Sequence, residues 1–344
     1  MNEAPVKSLR ILVTGATGFI GRHLIHLLRS LNHEVAASST PGDPLAKALP
    51  EEVIFLPCDI RDFDAIYRIM IEVKPHLIFH LAGLARSDDL EKLLSINVMG
   101  TSVLLRAAAH LPSPPKVVIP GSASEYGLQD GNQPINEQAP LRPLSAYGIS
   151  KAAQTLLGQS YALRQLVPVV IGRIFNITGP GEPSTMLCGS LASQIVAAEK
   201  GERPPTIQIG NLSSIRDFLD IRDAVRALWL LALHGQSGQV YNICSGHGRL
   251  VKEVVYDLLA LSSVSLALEY DPARSRAADI SYCVGDATQL HRTTGWKPMI
   301  PFPNSLRDTL DWWRRAYPCN IITPVSFREQ NSKGDRETAE SLFH

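Results

Sequence analysis

The feature that most constrains this chain is an apolar run that breaks abruptly into glycine. Leu9–Thr14 is short and apolar, and Gly15-Ala16-Thr17-Gly18-Phe19-Ile20-Gly21 follows directly. From Phe19 to Leu31 the apolar residues Ile20, Leu24, Leu27, Leu28 and Leu31 recur at helical spacing, and Asn32 supplies a stop. A buried strand, a glycine turn and a helix in that order bring backbone N–H groups to one point, where an anion can sit on the helix start. Gly15 permits the tight turn, Gly18 lets backbone approach a phosphate, and Gly21 lets the helix pack closely on the strand. The spacing is GxxGxxG rather than GxGxxG. Three glycines in seven residues also suit a plain turn, so the flanking strand and helix carry most of the weight.

The pattern then repeats. Short apolar runs at Glu34–Ser38, Val53–Leu56, Leu77–Leu81, Val117–Pro120 and Val167–Ile174 alternate with helical stretches at Phe19–Leu31, Asp62–Val73, Asp88–His110 and Ser145–Leu166. Strands that are apolar throughout and alternate with helices predict a parallel sheet covered on both faces. The fold class is α/β, a Rossmann-type doubly wound sheet with a smaller C-terminal α/β lobe for substrate. Residues 1–175 are expected to form the dinucleotide-binding domain, with 212–245 returning to it. Residues 176–211 and 246–317 should form the substrate lobe, and the polar stretch 318–344 a disordered tail.

Composition excludes several classes. Lys and Arg total 33, as do Asp and Glu, so no basic excess points to nucleic acid. The five cysteines form no CxxC pair and are odd in number, which argues against a disulfide framework or a structural metal site. No apolar stretch approaches a membrane span, and the N-terminus lacks a signal sequence. A soluble cytoplasmic protein without metal is expected.

In a dinucleotide site, an acid near the end of the second strand meets the adenosine ribose and disfavours a 2′-phosphate. Here that stretch is Ala37-Ser38-Ser39-Thr40, which holds hydroxyls and no acid. NADP(H) is therefore slightly favoured over NAD(H). Asp59, after the third strand, is a candidate for the adenine amino group, or simply a loop carboxylate. Tyr147 and Lys151 stand four apart at a predicted helix start, so phenol and ammonium share a face. A nearby cation stabilises a phenolate, and a shift of roughly three units amounts to about 4 kcal/mol. Ser122, in the loop after the fifth strand, can hydrogen-bond a substrate oxygen; its plain reading is a turn serine.

The ordered segments TGATGFIG, CDIRD, FHLAG, INVMGT, GSASEYG, SAYGISK, RIFNITGPG and RDFLDIRDAV resemble the extended short-chain dehydrogenase/reductase superfamily, in its nucleotide-sugar epimerase/dehydratase branch. The resemblance covers about residues 8–316. It implies Ser122, Tyr147 and Lys151 as catalytic, with Asn97 organising the lysine. It implies that Gly15, Thr17, Gly18, Phe19, Ile20, Gly21, Ser39, Asp59, Ile60, Leu81, Ala82 and Gly83 line the cofactor. The second half resembles enzymes of GDP-mannose metabolism. That likeness implies Asn176, Arg216 and Arg276 on a GDP-linked sugar, and reduction of GDP-4-dehydro-6-deoxy-D-mannose to GDP-D-rhamnose. It also implies a homodimer through a four-helix bundle of Asp88–His110 and Ser145–Leu166. Sugar-nucleotide 4,6-dehydratases place a Glu where this chain has Ser124, with the acid displaced to Glu125, which disfavours dehydration. Two alternatives stand beside the reductase: a 4-epimerase with tightly bound NAD, and a dinucleotide-binding sensor without turnover.

Overall fold

The computed structural model describes residues 8–85, 87–274 and 280–317. The first half runs β1 (Arg10–Thr14), α1 (Phe19–Ser30), β2 (Glu34–Ser38), β3 (Ile54–Phe55), α2 (Phe63–Val73), β4 (Leu77–His80), α3 (Leu90–Leu93), α4 (Gly100–Ala109), β5 (Lys116–Ser122), α5 (Ala146–Leu163) and β6 (Val169–Ile174). The second half runs β7 (Asn176–Thr178), α6 (Leu187–Glu199), β8 (Thr206–Ile209), β9 (Ile215–Asp220), α7 (Ile221–His234) and β10 (Val240–Ile243). It ends with β11 (Gly248–Leu250), α8 (Val251–Leu259), β12 (Ala267–Tyr270), β13 (Tyr282–Cys283), α9 (Thr288–Thr294) and α10 (Phe302–Ala316).

Seven strands form one parallel sheet in the order β10-β6-β5-β4-β1-β2-β3. Side chains alternate across it as the strand period requires. Ile11 and Val13 of β1 join α1 and α7 in one core, while Leu12 joins α2, α4 and α5 in the other. The sheet is thus covered on both faces, as its unbroken apolar strands predict. Strand order reverses between β1 and β4, and the crevice at their C-terminal ends is where such sheets bind ligands.

Local signals set several boundaries. The Asp62 carboxylate accepts from the Ala65 N–H at 3.0 Å and caps α2, which ends at Lys74 in the left-handed region. Ser145 caps α5 in the same way, accepting from Gly148 N–H. The helix expected over Asp88–His110 is not regular: α3 and α4 are joined by a π-helical segment, Leu94–Met99, that contains Asn97. Such a shift in hydrogen bonding leaves the apolar pattern almost untouched, and π segments concentrate at functional sites.

The stretch 212–245 divides. Strand β10 enters the large sheet beside β6, whereas β9 pairs with β7, β11 and β13 in a separate four-stranded sheet. Around it, α6, α8 and α10 share a core with Phe218, Phe302 and Trp313. Strands β8 and β12 form a third, two-stranded sheet. No helix among the described residues is long and apolar enough to cross a membrane. The polar stretch 318–344 lies outside the described residues.

Candidate active site

The glycine turn is built as its spacing implies. Gly15 has φ +64°, and a Cβ there would stand 2.5 Å from the Leu81 carbonyl carbon. At Gly21 a Cβ would meet the Gly15 and Ala16 carbonyl oxygens at 2.5 Å, so glycine is what lets α1 lie against the turn. Gly18 is the N-cap of α1, is exposed, and makes no side-chain cap bond. Open backbone N–H groups in the first helical turn suit a pyrophosphate, so the residues present fit a dinucleotide. Phe19 and Ile20 open α1, half-buried.

On the adenosine side, Ser39 and Thr17 stand 2.9 Å apart, oxygen to oxygen. Both hydroxyls donate to Asp43 Oδ2, each at 2.6 Å. The acid-free stretch Ala37–Thr40 therefore has a carboxylate beside it in space. Burial opposes the charge of Asp43, but hydrogen bonds from Ser39, Thr17 and the Leu45 N–H outweigh it and hold its pKa below the usual range. Asp59 is engaged elsewhere: it forms an ion pair with Arg61 at 2.6 Å and accepts from the Arg61 backbone N–H. Its neighbour Ile60 is buried, its Cγ2 filling the space beside Gly100.

Leu81, Ala82 and Gly83 follow β4 across the crevice. The Leu81 N–H donates to the Thr14 carbonyl and the Ala82 N–H to Thr14 Oγ1. Asn97, fully buried, holds the next residue by both ends of its amide. Its Oδ1 accepts from Leu84 N–H at 2.7 Å, and its Nδ2 donates to the Leu84 carbonyl and to Ser150 Oγ. Asn97 thus links the strip after β4 to helix α5.

Ser122 ends β5, and its Oγ accepts from Ser124 N–H while its own N–H donates to Glu125 Oε1. A Cβ on Gly148 would lie 2.4 Å from the Ser124 carbonyl oxygen. Glycine at that point lets the first turn of α5, with Tyr147, press against the Ser122 turn. Burial pushes the Tyr147 phenol up to about 12, although Ser122 acts against the shift. Burial, rather than Lys151, governs the phenol in this structure. The ammonium of Lys151 is buried and donates inward, to the Pro120 carbonyl at 2.6 Å and to Gln154 Oε1. Burial lowers its pKa to about 8.

Gln154 opens a buried chain that sequence reading missed. Its Nε2 donates to Thr101 Oγ1, whose single proton goes to the Asn97 carbonyl. His80 Nε2, 2.8 Å from Thr101 Oγ1, must then be the donor, which leaves Nδ1 to accept from Thr14. Burial and then the Lys151 charge lower His80 to about 3, so it stays neutral. The spacing offered one signal: Gln154 is three residues beyond Lys151 and shares its helical face.

In the smaller sheet, β7 and β9 run in parallel with Asn176 opposite Phe218, two residues beyond Arg216. Asn176 Nδ2 donates to the Asp217 carbonyl, and Arg216 donates to the Ile215 carbonyl. Arg276 lies outside the described residues. Among the described residues no cluster of three His, Cys, Asp or Glu is placed to hold a metal.

The family model for the NAD-dependent epimerase/dehydratase family matches residues 11–244. This chain belongs to that family. A GDP-6-deoxy-D-mannose reductase of Pseudomonas aeruginosa is 32% identical over 309 residues, covering 88% of this chain and 97% of the relative. The solved RMD protein of P. aeruginosa, complexed with NADPH, superposes with TM-score 0.78 at 30% identity, over 90% of this chain and 99% of that one. The Thermus thermophilus UDP-glucose 4-epimerase, complexed with NAD, gives 0.81 at 26% identity, over 90% and 100%. The chain is an NAD(P)-dependent enzyme of the extended short-chain dehydrogenase/reductase type. Its family comprises nucleotide-sugar reductases, epimerases and dehydratases.

Proposed function

We propose that this enzyme reduces the C4 keto group of a nucleotide-linked 4-keto-6-deoxyhexose, with GDP-4-dehydro-6-deoxy-D-mannose as substrate and GDP-D-rhamnose as product. A reduced dinucleotide, held by its pyrophosphate at the glycine turn, would supply the hydride from its nicotinamide. Tyr147 donates the proton that the developing C4 alkoxide needs, and Ser122 hydrogen-bonds the same oxygen. Of the three N–H groups of the Lys151 ammonium, two go to the Pro120 carbonyl and Gln154, and the third serves the nicotinamide ribose. A phenol kept protonated by burial suits this direction of reaction, because reduction consumes a proton. Asn176 contacts the nucleotide-sugar, and Arg216 and Arg276 face its phosphates; guanidinium forks match diphosphate oxygens.

The observation that carries the choice of reduction over dehydration is the fate of Glu125. Dehydration needs a base to remove a carbon-bound proton at C5. The carboxylate in this turn is fully buried and committed to Arg173 at 2.7 Å. Its other oxygen accepts from the Ser122 backbone N–H. The test is stoichiometry. With the GDP-linked keto-sugar, one reduced cofactor should be consumed per product formed. Purification with bound NAD and interconversion of 4-epimers without net consumption would replace the reductase by an epimerase. Cofactor binding with neither reaction would leave the sensor.

A homodimer through α3–α4 and α5 belongs to the same proposal. Ile149, Leu156 and Leu163 are exposed on α5 at seven-residue intervals, and Leu90 and Met99 are exposed on the neighbouring helical segment. An apolar stripe at that period fits a helix-bundle seam. Leu156→Glu at its centre is expected to convert a dimer to a monomer in sedimentation. A wild-type chain that already sediments as a monomer would refute the seam.

A further inference from the structure

We infer that Asp43 is the residue that discriminates between the two nicotinamide dinucleotides, and that it selects NAD(H) against NADP(H). Ser39 stands at the end of β2, where the adenosine ribose is normally met by an acid. The acid is missing from that position but not from the site. Asp43 reaches back four residues, and its Oδ2 lies 2.6 Å from both Ser39 Oγ and Thr17 Oγ1. Thr17 belongs to the glycine turn, so the carboxylate bridges the phosphate-binding loop and the end of β2. A bound dinucleotide must pass that junction between its pyrophosphate and its adenosine.

The carboxylate sets the preference. Each hydroxyl owns one proton, and the contacts among Thr17, Ser39 and Asp43 engage both, with either hydroxyl able to donate to the other. The face they offer a ligand is made of lone pairs beside a negative charge. A ribose 2′-hydroxyl can donate to such a face. A 2′-phosphate finds no proton there and meets a like charge at close range, in a half-buried setting where screening is weak.

Asp43 also caps the short turn Pro44–Ala48, its Oδ1 accepting from Leu45 N–H at 3.0 Å. That role uses the other oxygen and does not account for the contacts with Ser39 and Thr17. The cap and Pro44, which restricts Asp43 to an extended backbone, hold the carboxylate in place. The inference rests on the dinucleotide site alone, so it can fail or hold whichever sugar is the substrate.

The test is a titration of the cofactor-free full-length chain with NADH and with NADPH, read by calorimetry. The wild type should bind NADH tighter by at least about tenfold, equivalent to ~1.4 kcal/mol. Asp43→Asn keeps an oxygen for Leu45 and removes the charge. It should tighten NADPH by about tenfold and leave NADH within roughly threefold. Asp43→Ser should shift the ratio the same way, and melting temperatures within about 3 °C of wild type would show that both variants fold. Equal affinities in the wild type, or a ratio unchanged in both variants, would overturn the assignment.

Discussion

Tyr147→Phe is expected to lower kcat for keto-sugar reduction by about 10²- to 10⁴-fold, the usual contribution of a positioned acid. Affinity for the reduced cofactor should remain within roughly twofold, because the phenyl ring keeps the packing and only the proton donor is lost. The pH profile supplies a second handle. Burial lowers Lys151 to about 8, so its ammonium discharges as pH rises through that value. The nicotinamide ribose needs that ammonium, and kcat/KM for the keto-sugar should fall above about pH 8. The phenol itself, pushed up to about 12, stays protonated throughout. Steady-state kinetics from pH 6 to 10, with cofactor binding measured separately, check both expectations. Retention of wild-type kcat by the phenylalanine variant would remove Tyr147 from the chemistry.

Much of this site is legible in the sequence because its determinants are local. The glycine turn, β2, the Asp62 cap and the Tyr147–Lys151 face each depend on residues within a few positions of one another. What escapes such reading is long-range or runs against the local pattern. Asp43 sits in Pro41-Gly42-Asp43-Pro44, which reads as a turn, and nothing in that stretch shows that its carboxylate reaches Ser39 and Thr17. Segment Ile215–Asp220 carries three charges among six residues and no pattern that assigns it to either sheet, and only its pairing with β7, β11 and β13 decides the matter. The direction in which Lys151 points is decided by Gln154 and by the Pro120 carbonyl, 31 residues distant in the chain. A lysine read as part of a catalytic unit is thus, in this chain, also a structural one.

Glu125 makes the same point with a larger energy. Its carboxylate and the Arg173 guanidinium meet at 2.7 Å with side-chain exposures of 0% and 4%. Arg173 also stacks over the Tyr126 ring, 4.7 Å from its centroid, and Tyr126 donates to Asn242 in β10. The pair therefore pins the Ser122 turn to β6, and through Tyr126 to β10. Arg173→Leu would leave Glu125 charged and buried without its partner, at a cost of about 3–5 kcal/mol. Against a total stability of roughly 5–15 kcal/mol, that is enough to unfold much of the population on mild heating. Glu125→Gln should cost less, because an amide oxygen can still accept from Ser122 N–H while the guanidinium keeps the aromatic face. Replacing both together by Met should be milder than Arg173→Leu alone, since removing a buried pair whole avoids stranding a charge. Urea denaturation of the four proteins measures these differences directly. A loss below about 1 kcal/mol for Arg173→Leu would mean that water reaches Glu125, and the turn that carries Ser122 would then owe its shape to the Ser122–Ser124 hydrogen bond and the packing of Gly148.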